Sequence, residues 1–189
     1  MAHLMIDIET LGTAPDTVIL TVAAQSFDPL GTGYYDSSYY ARVDFESQAN
    51  RSIENGTLEW WANQNCAAKD EAFSEEGRIA LPEVLDALGK LIWKSSVVWA
   101  NGPTFDMTIL ENAYKSYNKP LPWQYYRVRD ARTVYNLLGN VTATHPVNQF
   151  EIRSGEPHRP ASHHALDDCC RQIDLLQFTL KQLNVKGVS

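Results

Sequence analysis

Two hydrophobic rhythms divide the chain. From Leu4 to Thr10 and from Val18 to Phe27 the sequence is dense in β-branched and apolar residues, over lengths that suit strands. Asp28-Pro29-Leu30-Gly31-Thr32-Gly33 reads as a turn, and the tyrosine-rich Tyr34 to Val43 follows as a third strand. Short links make these three an antiparallel meander. The period then changes. Leu81, Val84, Leu85, Leu88, Leu91 and Ile92 recur at helical spacing within Leu81 to Trp93, and Pro82 suits a first turn. Before that helix, Thr57 is the candidate cap of a short one carrying Trp60 and Trp61.

Ser96 to Ala100 predicts a short strand ending in Asn101-Gly102-Pro103, and a further helix covers Asp106 to Tyr114. Tyr125 to Arg129 fits a last strand, with Asp130 capping a helix through Leu138. Asp167 to Leu183 closes the chain as an amphipathic helix with an apolar stripe of Leu166, Cys169, Ile173, Leu176, Leu180 and Leu183. The polar, proline-bearing stretch from Gly139 to Ala161 is long enough for a functional loop or lid. A three-strand meander followed by alternating helices and strands predicts an α/β fold, a mixed sheet flanked by helices.

At 189 residues the expectation is a single domain spanning 1–189, and 44% hydrophobic with 21% charged content fits an ordinary globular protein. The formal charge of −7 argues against tight, non-specific binding of duplex nucleic acid, yet not against a nucleic acid held at a metal centre. Cys66, Cys169 and Cys170 lack the spacing of a disulfide framework or zinc site, and the last two read as buried small hydrophobes. No run approaches membrane-spanning length, and the chain enters a strand almost at once, so a cytoplasmic protein without a membrane partner is expected.

The first strand carries the most informative chemistry. Asp7 and Glu9 are two residues apart and project from one face. Crowded carboxylates repel and are costly to desolvate unless a cation lies between them, and their oxygens suit Mg²⁺ or Mn²⁺. In open sheets ligands gather at the carboxyl ends of strands, where Asp7 and Glu9 lie and which Asp106 follows. Phosphodiester cleavage by two ions, roughly 3.5–4 Å apart, calls for several acids from separate elements. Asp7 is the candidate bridge between the ions, with Glu9, Asp106 and Asp168 completing the ligand set. His163, at a loop-to-helix boundary, is the candidate general base.

Asp7-Ile8-Glu9-Thr10, Asn101-Gly102-Pro103-Thr104-Phe105-Asp106 and His163-His164-Ala165-Leu166-Asp167-Asp168 together resemble the three motifs of the DEDDh 3′–5′ exonucleases. The resemblance implies a ribonuclease H-like fold, three antiparallel strands then parallel ones, forming one exonuclease domain. It implies hydrolysis at the 3′ end of single-stranded RNA or DNA, releasing nucleoside 5′-monophosphates. The family's H-x-A-x-x-D pattern selects His163, Ala165 and Asp168 rather than His164 or Asp167. Thr57-Leu58-Glu59-Trp60-Trp61, with Gln64, is similar to the subgroup of mycobacterial-type 3′–5′ exoribonucleases found also in phages and prophages. Dimers occur among such relatives, which leaves a homodimer open.

Thr10, Leu11, Trp60, Trp61, Asn101 and Phe105 flank these motifs and are the candidate substrate contacts. One tryptophan is expected in the core and the other free to stack on a base, with no sign of which. Taken alone, Asp106 would cap a helix, and it can serve as cap and ligand together. Asp167 reads as a surface residue, and His145 and His158 as loop residues. Arg127, Arg129, Arg132 and Arg159 read equally as a phosphate-gripping rim or as scattered solvated charges. Two rival functions stand beside the nuclease. One is an Asp-based metal-dependent phosphatase, since Asp7-Ile8-Glu9-Thr10 mimics its opening motif, although no lysine lies between Lys119 and Lys181. The other is a non-catalytic nucleic-acid-binding module on a nuclease scaffold, which should have lost an acid or the histidine.

Overall fold

The computed structural model describes residues 2–138 and 163–187. Five strands form one sheet: β1 (His3–Thr10), β2 (Ile19–Phe27), β3 (Tyr34–Arg42), β4 (Val97–Ala100) and β5 (Val128–Asp130), in the order β3-β2-β1-β4-β5. β1 pairs antiparallel with β2, and β2 with β3, as the short turns dictate. β4 and β5 then add in parallel on the other side of β1. The mixed sheet expected from the order of elements is present.

The described helices are α1 (Asn55–Ala62), α2 (Cys66–Phe73), α3 (Leu81–Lys94), α4 (Pro103–Ser116), α5 (Ala131–Asn136) and α6 (Ala165–Gln182). None is long and apolar enough to cross a membrane. Alternation along β1 sorts its side chains between two cores. Leu4, Ile6 and Ile8 join the apolar faces of α3 and α4, including Leu85, Leu88, Ile109 and Leu110. Met5 faces Cys169, Ile173 and Leu176 of α6, together with Tyr135 of α5. Asp7 and Glu9 continue the row begun by Met5, so both acids emerge on the side covered by α6.

Several local expectations shift. Tyr125–Arg127 is a 3₁₀ turn, and the last strand begins only at Val128. α1 starts before Thr57: Glu54 occupies the N-cap position, and its carboxylate instead accepts from Thr13 N at 3.0 Å and Ala14 N at 2.9 Å. Asp106 is not a cap, because α4 begins at Pro103 behind Gly102, placing the acid within the first turn. Gly102 has φ +100°, a left-handed conformation that suits glycine, and a Cβ there would lie 3.6 Å from the Arg132 guanidinium. Helix α2 had no counterpart in the hydrophobic pattern, although Asn65 caps it by accepting from Ala68 N at 2.9 Å. Asp130 does cap α5, accepting from Arg132 N. Cys169 is buried as expected, whereas Cys170 is only partly covered and Cys66 is exposed. The stretch 139–161, with His145, His158 and Arg159, lies outside the described residues, apart from which α6 spans its predicted helix.

Candidate active site

The carboxyl ends of β1 and β4 and the first turns of α4 and α6 meet at one edge of the sheet. Asp7 and Glu9 come from β1, Asp106 from α4 and Asp168 from α6. Asp106 is 4% exposed, and its Oδ1 accepts from Ile8 N at 3.3 Å, which ties α4 to the strand between the two β1 acids. Asp168, 6% exposed, lies on the core flank of α6, while Asp167 is exposed, in agreement with the helical stripe.

The electrostatics follow from this crowding. Burial pushes the Asp7 carboxyl well above the usual carboxylate range, and the neighbouring Asp106, Glu9 and Asp168 push it further. Glu9 is raised by burial and then by Asp168 and Asp106. Asp106 moves from 3.8 to about 7, mainly through burial, with Arg132 acting in the opposite direction. Asp168 is raised by burial despite Arg171, whose Nη2 lies 2.5 Å from its Oδ1. The charges that act on Asp7 are all acidic. Four oxygen-bearing acids held together with so little positive charge are a donor set that fits divalent cations.

His163 stands beside them with φ +49°, at the point where the chain turns into α6. Its Nδ1 is 3.9 Å from Glu9 Oε1. Single ligand atoms of Glu9, His163 and Asp168 all lie within 4.8 Å of one another. Burial lowers the imidazole's pKa, with Asp168 opposing, so the ring is neutral at neutral pH and keeps a nitrogen able to accept a proton. Its neighbour His164 points elsewhere. The His164 side chain caps α6, stacks on Tyr40 at 4.5 Å between ring centroids, and lies 3.8 Å from Glu71. Glu71 in turn pairs with Arg42 at 2.6 Å.

The candidate substrate contacts separate into wall and core. A cleft of about 380 Å³ opens next to Glu9, lined among others by Thr10, Gly12, Thr57, Trp60 and Phe105. Trp60 is 44% exposed and meets the His163 ring edge-on at 4.9 Å. Trp61 is 2% exposed and packs with Leu11, Val18 and Leu20 beneath the cleft. Asn101 is held by Arg132, whose Nη2 donates to its main-chain carbonyl at 3.0 Å. Arg129 turns onto the carbonyls of Tyr126 and Val128. Motif reading passed over Arg171 and Gln172, since helical spacing from Asp168 was the only available signal.

The model of the 3'-5' exoribonuclease Rv2179c-like domain family matches residues 2–180. The chain belongs to that family. It is a 3′–5′ exonuclease, as the motif order implied. An exodeoxyribonuclease of Enterobacteria phage T4 is 24% identical over 209 residues, covering 96% of this chain and 90% of the relative. Among solved structures, E. coli exonuclease I, in a zinc-bound complex with single-stranded DNA, superposes with a TM-score of 0.70 at 15% identity. The match covers 97% of this chain but only 41% of that one. The nuclease domain of 3'hExo, a DEDDh family member bound to rAMP, matches with a TM-score of 0.64 at 11% identity over 96% of this chain and 92% of its own. This exonuclease thus shares the ribonuclease H-like fold of the DEDDh enzymes.

Proposed function

We propose that Asp7, Glu9, Asp106 and Asp168 hold two divalent cations, Mg²⁺ or Mn²⁺, and that His163 is the general base of a hydrolysis at the 3′ end of a single strand. The observation that carries this reading is the meeting of four acids from three elements beside an open cleft with an exposed tryptophan at its wall. Bound divalent cations supply charge neutralisation at the phosphoryl oxygens and ease ionisation of the attacking water. The remaining work falls to the chain itself. His163, neutral and half-buried, takes the proton from that water. Trp60 and Phe105 offer apolar faces for the terminal base, and Thr10 lines the same cleft. Attack on the terminal phosphodiester then releases a nucleoside 5′-monophosphate and leaves a new 3′-hydroxyl.

The relatives' activities, an exoribonuclease family and an exodeoxyribonuclease, support a nucleic-acid substrate of either sugar, and the exonuclease I complex supports a single strand. The phosphatase reading is disfavoured because Glu9 is longer than the second acid of that motif and no lysine lies between Lys119 and Lys181. A binding module without catalysis is disfavoured because every acid and the histidine are retained. The test uses 5′-end-labelled single-stranded RNA and DNA with Mn²⁺ or Mg²⁺. A ladder shortening from the 3′ end, stopped by a 3′ block and by chelation, is expected. Efficient cutting of closed circular strands would overturn the reading.

A further inference from the structure

Gln172 lies on α6 one turn beyond Asp168 and is 6% exposed. Its Nε2 donates to Asp7 Oδ1 at 2.7 Å, so α6 reaches the centre of the acidic cluster through a neutral amide. The other half of that amide, Oε1, is buried without a hydrogen-bond partner among the described residues. Against an ionised, cation-binding Asp7 only this orientation of the amide is workable: turned over, it would set a carbonyl oxygen against a carboxylate. The helix backbone at this residue is also held from behind. Tyr135, 1% exposed on α5, donates its hydroxyl to the Gln172 main-chain carbonyl at 2.9 Å.

A buried amide oxygen with no partner among the described residues lowers stability, and an apolar side chain of similar size would avoid that penalty while giving up the bond to Asp7. Cys169, Ile173 and Leu176 on the same helix are buried in an apolar cluster that such a side chain would extend. A polar group kept at a cost to folding is the pattern of a residue held for function. The geometry points to Gln172 as the positioning residue of Asp7, whose amide fixes the rotation of that carboxylate so that its remaining lone pairs face the cations. The inference rests on the reading of Asp7 as a cation ligand. Partners that orient a ligand in this way typically change metal affinity or activity by about 10–100-fold.

The test compares Gln172→Met and Gln172→Leu in the full chain with Asp7→Asn. Thermal unfolding is followed in chelator, and Mn²⁺ binding is read from the spin-resonance signal of the free ion. We expect at least one Gln172 variant to unfold no lower than the parent while binding Mn²⁺ about 10–100-fold more weakly. Its activity should recover as Mn²⁺ is raised. Unchanged Mn²⁺ affinity in the Gln172 variants, alongside lost affinity in Asp7→Asn, overturns the positioning role alone. If both Gln172 variants unfold below the parent, the residue is structural and the inference fails. Parent-like Mn²⁺ binding by Asp7→Asn removes Asp7 from the ligand set, and the inference falls with that reading.

Discussion

The indole N–H of Trp61 donates to the main-chain carbonyl of Thr10 at 2.9 Å, fastening α1 to the end of the acid-bearing strand. Its neighbour Trp60 turns outward, edge-on to both Trp61 and His163. Consecutive residues of one helix thus serve as anchor and wall. Trp61→Phe strands a buried carbonyl and should destabilise the fold by about 1–3 kcal/mol. Trp60→Ala should leave the unfolding midpoint nearly unchanged and raise KM more than it lowers kcat. Thermal melts and steady-state kinetics on the same pair of variants check both. A Trp60→Ala enzyme with parental KM would remove that ring from the substrate wall.

His163 and Asp168 should part company when mutated. His163→Ala removes a base and should slow turnover by about 10²–10⁴-fold while Mn²⁺ binding persists. Asp168→Ala should lose affinity for the ion together with activity. Single-turnover rates and metal titrations on both variants distinguish the two roles.

His164→Ala should act on stability more than on turnover. Its ring caps α6 and stacks on Tyr40, so its loss should cost about 0.5–2 kcal/mol of stability. A lowered melting temperature with turnover far less affected than in His163→Ala is the expected result. If instead His164→Ala cripples turnover and His163→Ala does not, the base has been assigned to the wrong imidazole.

The acids carry a pH signature in the metal-free protein. Asp106 has its folded pKa raised from 3.8 to about 7, so between those values the folded chain holds a proton that the unfolded chain has released. Its contribution to stability is present in full below the lower value and is lost as pH rises through the upper one. Melting temperatures recorded in chelator should therefore fall toward neutral pH more steeply in the parent than in Asp106→Asn. Added Mn²⁺ should restore more of the parent's stability above pH ~7 than below it, because ion binding relieves a repulsion present only when the acids are charged.

The antiparallel meander and the mixed sheet were legible because they rest on local signals and on the order of elements. β2 is continuously buried, and the alternation in β1 passes directly from Met5 to Asp7 and Glu9. The choice of Asp168 over Asp167 came from the motif resemblance, and the helical stripe of α6 agrees with it. What the sequence concealed depends on distant partners. Glu54 binds a loop 40 residues earlier rather than its own helix, which no capping rule anticipates. Helix α2 has a weak apolar stripe, buries only Ala68 and Ala72, and supplies Glu71 to a network completed by β3 and α6. Gln172 looks like one polar residue among many until the fold brings Asp7 to it, 165 positions away. Trp60 and Trp61 were distinguishable only once α1 had a defined roll against β1.

β1 is the middle strand of the five, paired with β2 along its length and with β4 at His3, Leu4 and Met5. Exchange at His3, Leu4 and Met5 requires opening the centre of the sheet, so their amide protons should be among the slowest in the molecule to be replaced by deuterium. The acids follow that segment on the same strand, held by the β2 ladder and by the bond from Ile8 N to Asp106, whereas Trp60 belongs to a two-turn helix with less to hold it. A substrate strand can then displace the wall of its cleft while the charged floor keeps its dimensions. Successive nucleotides of different size would meet the same hydrolytic geometry.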